Sequence, residues 1–228
     1  MSNTYGPFPV TSGLVFSFDP GNVKNYAGSG TTVTELVGNA GVGTATTTTY
    51  NSANGGYMSY NGASSIVTFN NNTALDTQAV TVETWVNTAA TSQNGFWFEK
   101  GNVNTQYALF QEGTSIQWRQ YFTNLGTITN LSTTTAAYMT TSTWYQVVGT
   151  FISGSRILYI NGVQVNSDTQ TGNLGTNAGG MSIGAYGGTG AHAYYYNGNI
   201  GITRVYGRNL SSAEVLQNFN ANRIRFGI

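Results

Sequence analysis

At 228 residues the chain fits one large all-β domain as well as two small ones, and it is long enough to bury roughly 70% of its unfolded surface. The absence of cysteine excludes disulfides, thiolate nucleophiles and Cys-based metal sites. Charged residues are only 7% of the chain, with eight Lys+Arg balancing eight Asp+Glu, so the dense cationic surface that displaces phosphate counterions is missing and nucleic acid is excluded as a partner. Hydrophobics at 39% and aromatics at 13% suffice for a core, so the low charge does not mean disorder.

The N-terminal Met1-Ser2-Asn3-Thr4-Tyr5-Gly6-Pro7 has no basic stretch and no apolar run, so no signal peptide is expected, and no run reaches the ~18 apolar residues of a membrane span. Strands are expected near Gly13–Asp19, Tyr57–Tyr60, Ser65–Phe69, Val80–Asn87 and Phe96–Lys100. Others are expected near Tyr107–Gln111, Ser115–Tyr121, Trp144–Ile152, Arg156–Ile160, Met181–Tyr186 and Asn199–Tyr206. Strands without alternating helices predict two antiparallel sheets packed face to face. The threonines of Thr44–Thr49 suit an edge strand. Asn61-Gly62, Asn161-Gly162 and Asn197-Gly198 are expected as tight turns, because Asn-Gly accepts positive φ. One helix is expected over Leu210–Asn220. Ser211 and Glu214 form its capping box, Leu210 and Val215 its staple, and Val215, Leu216 and Phe219 its apolar face. Residues 1–12 read as an N-terminal extension and 13–228 as one domain without repeat or linker.

Several segments in this order carry a resemblance. Gly13-Leu14-Val15-Phe16-Ser17-Phe18-Asp19 precedes Asn22 and Tyr26-Ala27-Gly28-Ser29-Gly30-Thr31, and Tyr60-Asn61-Gly62 leads into Ile66-Val67-Thr68-Phe69. Val80-Thr81-Val82-Glu83-Thr84-Trp85-Val86 and Leu158-Tyr159-Ile160-Asn161-Gly162 follow. Tyr196-Asn197-Gly198-Asn199-Ile200-Gly201 with Val205-Tyr206-Gly207-Arg208-Asn209-Leu210-Ser211 closes the set. Over nearly its whole length the chain resembles the laminin-G-like, concanavalin A-like lectin/glucanase domains, in the versions found in tailed-phage virion proteins. The resemblance implies an all-β fold, a two-sheet antiparallel jelly-roll sandwich with one short C-terminal helix. Related domains often carry an acidic residue, which can join a structural calcium site, where this chain has Gly201. That puts such a site in doubt here.

Catalysis by glycosidases needs two carboxyl groups flanking one bond, about 5–9 Å apart. The acidic residues are Asp19, Glu35, Asp76, Glu83, Glu99, Glu112, Asp168 and Glu214, and no two lie within six positions of each other. Glu99 and Glu112 could approach only across a hairpin. If Lys100 pairs with Tyr107, Glu112 falls opposite Gly95. His192 is the only histidine and reads as a loop residue. The chain is therefore read as non-catalytic and free of cofactor. Asp19 and Asn22 are candidate oxygen ligands for calcium. The competing and preferred reading is that Asp19 opens a turn and accepts backbone N–H groups.

Period-two alternation puts Val82, Thr84 and Val86 on one face of their strand and Glu83 and Trp85 on the other. With the valines inside, Glu83 and Trp85 are expected outward, an aromatic platform beside an acceptor against which a sugar ring could stack. Trp97, Trp118 and Arg119 are candidate assistants. Trp118 and Arg119 are sequence neighbours and face opposite ways, so at most one serves. The competing reading uses these tryptophans and Trp144 to fill the sandwich or places them under loops.

The expected function is a non-catalytic virion surface protein of a tailed phage, in capsid decoration or adhesion, with weak glycan binding. Its expected partners are other virion proteins, further copies in an oligomer or lattice, and surface glycans, with no nucleic acid and no membrane. It would be made in the host cytoplasm without a signal peptide and exposed on the virion surface. The alternative is a glycan-processing enzyme or its carbohydrate-binding module. A third reading, a cellular adhesion module, needs an export route.

Overall fold

The computed structural model describes residues 7–101 and 105–228. In chain order its strands begin with β1 Leu14–Phe18, β2 Thr32–Thr34, β3 Val42–Thr46, β4 Thr49–Asn51, β5 Tyr57–Asn61 and β6 Ile66–Phe69. They continue with β7 Val80–Thr88, β8 Gly95–Gly101, β9 Thr105–Glu112, β10 Ser115–Phe122 and β11 Thr127–Thr134. After the single turn α1 (Thr135–Tyr138) come β12 Trp144–Ile152, β13 Ser155–Ile160, β14 Val163–Asp168, β15 Met181–Ile183 and β16 Asn197–Tyr206. The chain then forms α2, Ser212–Asn222. Among the described residues no helix is long and apolar enough to cross a membrane.

Two antiparallel eight-stranded sheets form a jelly-roll sandwich. The first runs β14-β13-β12-β7-β16-β5-β4 with β1 also on β16, and the second β11-β10-β9-β8-β15-β6-β3-β2. Between them lies one large core that includes Phe16, Phe69, Val82, Val86, Trp97, Phe98, Leu109 and Trp118. Polar bonds tie the layers together. Trp118 Nε1 of β10 donates to the Thr150 carbonyl of β12 at 3.1 Å. Arg156 of β13, 2% exposed, reaches Gln120 Oε1 and Thr129 Oγ1 of the opposite sheet, each at 2.9 Å. Its fork also holds Asp168, with Nε–Oδ1 at 3.0 Å.

The predicted strands are present, with differences that have local causes. Thr44–Thr49 is not one edge strand: Thr44–Thr46 belongs to β3, outside which β2 pairs, and Thr49 opens β4, an edge of the first sheet. The chain leaves β3 through Thr47 at φ 49°. The strand expected to run to Tyr186 stops at Ile183. Gly184 follows at φ 90°, and a Cβ there would stand 2.1 Å from the Tyr60 ring. Asn161-Gly162 makes the β13–β14 turn with both φ positive, 51° and 78°. Asn61-Gly62 is a corner between sheets, where Asn61 Oδ1 accepts from the N–H groups of Ala63, Ser64 and Ser65. Asn197-Gly198 is no turn at all; it opens β16. Of the four strands not expected, β2 and β4 have three residues each, β11 is Thr-rich, and β14 (VQVNSD) turns wholly polar after Val165.

The helix forms where predicted. Ser211 accepts from the Glu214 N–H while the Glu214 carboxylate accepts from the Ser211 N–H. Leu210 and Val215 pack together with Tyr206 and Val10. Leu216 is 44% exposed, so it is not part of the buried face.

Candidate functional site

The alternation expected in β7 holds, but its second face is not open. Glu83 and Trp85 are both 0% exposed. The chain's own C-terminus roofs them: Trp85 stacks on Phe226 at 4.4 Å between ring centroids and on Phe219 at 6.0 Å. Trp144 and Ile202 complete this cluster. Glu83 collects Trp85 Nε1 (3.1 Å), Gln146 Nε2 (3.0 Å), Arg204 Nη1 (3.3 Å) and Asn218 Nδ2 (2.8 Å). A buried carboxylate needs such partners, since an unpaired one is costly. Glu83 thus anchors α2 through Asn218 and offers nothing to a ligand. Trp97 and Trp118 are also 0% exposed and belong to the inter-sheet core. The expected platform of Glu83 and Trp85, helped by Trp97 or Trp118, is therefore not formed.

Nor do Asp19 and Asn22 form a calcium cluster. Arg225 grips the Asp19 carboxylate at both oxygens, 2.6 and 2.7 Å. Asp19 Oδ1 also accepts from the Gly21 N–H, and Asn22 Oδ1 from the Lys24 N–H. The turn reading describes these contacts. At Gly201, a Cβ would stand 2.8 Å from the Phe226 ring, so the place where related domains carry an acid is filled by an aromatic. These residues do not fit a metal site.

Of the residues expected to contact a glycan, Arg119 alone is not sealed. It lines a cleft of about 330 Å³ on the outer face of the second sheet, with Asn94, Phe96, Thr105, Phe110, Glu112, Tyr186 and Tyr194. This size lies at the lower end for small-ligand sites. The register builds it. Phe96 of β8 and Phe110 of β9 are directly paired, so their rings stack at 4.3 Å with an angle of 5°. The small Ala108 pairs with Arg119 of β10 and leaves the Arg119 guanidinium room to lie over Phe110, 4.3 Å from its centroid. Arg119 Nε donates to Asn130 Oδ1 at 3.1 Å. Among the described residues its two Nη groups have no protein partner. Burial of this cation lowers its pKa.

The facing wall comes from a loop. Tyr186 and Ala193 exchange backbone bonds of 2.9 and 3.2 Å and close the Gly187–His192 segment. Tyr186 and Tyr194 stand 5.2 and 6.2 Å from the Phe96 ring. Tyr194, 56% exposed, is held at φ 50°, a conformation that costs a bulky residue energy and tends to occur at functional sites. Beneath lies Glu99, 0% exposed, whose Oε1 accepts from Thr105 Oγ1 at 2.6 Å and Oε2 from the Gly187 N–H. Burial pushes this carboxyl up to about 7, opposed by the bonds from Gly187, Thr105 and Gly188. Thr105 lines the cleft and Glu99 does not.

Glu112 sits elsewhere on the rim. Lys100 does pair with Tyr107, but a bulge between Phe96 and Phe98 puts Gln111, not Glu112, opposite Gly95. Sequence reasoning does not reach Phe96, Phe110, Tyr186 and Tyr194 because it follows the tryptophans. The signal available was the placement of Phe96 and Phe110 on neighbouring strands, with Tyr194 beyond the glycines.

Residues 61–216 match the family model described as the concanavalin A-like lectin/glucanases superfamily, laminin G type. No curated protein matches the sequence. Among solved structures the chain is similar to the botulinum neurotoxin type G receptor binding domain, with 14% identity, a TM-score of 0.67, and coverage of 91% of this chain and 51% of that one. It is similar to the binding domain of Paraclostridial Mosquitocidal Protein 1, with 16% identity, a TM-score of 0.70, and coverage of 92% and 52%. It is also similar to domain 4 of AbnA, a GH43 extracellular arabinanase from Geobacillus stearothermophilus in complex with arabinotriose, with 17% identity, a TM-score of 0.68, and coverage of 92% and 100%. The chain thus spans about half the length of the toxin domains, and these neighbours are mainly binding domains rather than catalytic ones.

Proposed function

Since the chain belongs to the concanavalin A-like lectin/glucanase superfamily, we propose that it is a non-catalytic glycan-binding domain whose contact site is the cleft around Phe96, Phe110, Arg119, Tyr186 and Tyr194. The observation that carries this reading is the cleft itself: the exposed Tyr194 ring and the part-exposed Tyr186 stand next to donors and acceptors, on a floor of the buried Phe96 and Phe110. Sugar C–H faces pack against aromatic planes, and a few placed polar groups fix orientation. The neighbouring toxin domains and the arabinanase domain bound to arabinotriose support the reading by analogy of fold, which alone does not establish function. A catalytic role lacks its acid pair, because Glu99 is sealed and Glu112 stands on the rim.

Single-site binding of this kind falls in the millimolar to micromolar range, about 4–8 kcal/mol, and many copies on one surface raise it by avidity. A glycan array read with multivalent protein tests the proposal. Binding that Tyr194→Ala weakens is expected. Absence of binding to every glycan, or binding indifferent to the cleft, overturns it.

We assign the domain to the surface of a tailed-phage virion, in decoration or adhesion alongside other virion proteins or further copies. The support is the sequence resemblance together with the sparse, balanced charge, which lets copies pack without like-charge repulsion. Immunogold labelling of purified particles is expected to decorate them. Unlabelled particles would remove this setting without touching the cleft.

A further inference from the structure

The most demanding polar group in the cleft is Arg119. The residue is half-buried, and its guanidinium lies over Phe110. It is fixed at one end by Asn130. Its remaining N–H groups face the cleft without a protein partner among the described residues. A guanidinium fork of this kind matches a carboxylate, which it binds through two parallel hydrogen bonds. Resting on aromatic rings, it needs no reordering to do so. Resting on the reading of the cleft as a glycan site, we propose that its ligand is an acidic sugar, a uronic or sialic acid residue, with the sugar carboxylate on Arg119 and the ring against Tyr194 and Tyr186.

The neighbouring charges permit this. Glu112 is exposed and screened by solvent, and it makes no ion pair within 4 Å of Arg119. Glu99, the other carboxyl near Arg119, is neutral below about pH 7. The Tyr186 phenol is neutral at this pH, and burial raises its pKa further. Below neutrality the charged groups of the cleft are therefore one half-buried cation and one anion, Glu112, on the exposed rim. Burying Arg119 has already cost part of its hydration, and an opposing carboxylate offsets that cost where a neutral hydroxyl does so less well.

The test is an array of sialylated and uronic-acid glycans, each printed beside the same glycan with its carboxyl converted to the methyl ester, probed at pH 6. The acids are expected to bind at least ten-fold more tightly than their esters. That preference should vanish in Arg119→Gln and shrink in Arg119→Lys, which keeps the charge but loses the fork. The acid–ester comparison in the unaltered protein needs no variant, so a misfolded Arg119→Gln leaves the proposal falsifiable. Equal binding of acids and esters, or retention of neutral glycans alone, overturns the acidic-sugar assignment and leaves the cleft as a glycan site. No retention of any glycan overturns both.

Discussion

The two outer faces of the sandwich carry similar side chains and do opposite things. On the first sheet, Trp85 stands beside a carboxylate and a nearby arginine, Glu83 and Arg204, and the chain's own α2 and Phe226 cover all three. On the second sheet, Phe96 and Phe110 are buried as well, but beneath Arg119, Tyr186 and Tyr194 rather than beneath a helix, and Tyr194 stays 56% exposed. Aromatics with charges at alternate strand positions therefore do not mark a ligand platform by themselves. What matters is whether a segment of the same chain already occupies the face. The first face is closed by the chain's own C-terminus, and the second is where we propose contact.

The comparison would break most visibly at the covered face. Trp85→Ala empties a fully buried site under α2, and a loss of about 3–5 kcal/mol is expected in urea unfolding, while glycan binding per folded molecule stays the same. A loss of binding with retained stability would mean the covered face is the contact site. Next in size is Glu99 beneath the open face. Its folded pKa is raised from 4.5 to about 7, so its contribution to stability is fully present below pH 4.5 and is lost as pH rises through 7. The difference is on the order of 3 kcal/mol. Glu99→Gln is expected to flatten that part of the pH–Tm profile and to raise Tm at pH 8. An unchanged profile would mean the carboxyl is not desolvated.

Smaller effects sharpen the contrast. Tyr194→Ala should weaken glycan binding about ten-fold, worth about 1.4 kcal/mol, with little change in stability because the ring is mostly exposed and its backbone is strained. Titration calorimetry and urea unfolding read the two quantities separately. Ser211→Ala removes the α2 cap and should cost about 1 kcal/mol. Acid should act on the same helix end. Arg208 holds Glu214 at about 2, so that stabilisation is present above pH 4.5 and is lost as pH falls towards 2. Circular dichroism of the helix, with and without the cap, follows both.

Much of this was legible in the sequence wherever the determining interaction is local. The capping box at Ser211 and Glu214 needs three residues of spacing, and the Asn161-Gly162 turn needs two. The sheet periodicity of Val80–Val86 needs only the strand itself. These follow from backbone geometry and short-range hydrogen bonding, so the all-β sandwich and its one main helix could be read directly. The site could not. The fate of Glu83 and Trp85 was decided by Asn218, Phe219 and Phe226, more than 130 positions away, and that of Asp19 by Arg225, 206 positions away. The cleft needed the bulge at Trp97 and the return of Tyr186 and Tyr194 from a glycine-rich loop. Alternation along a strand determines which side chains share a face; only the packed chain decides whether that face meets water or the rest of the protein.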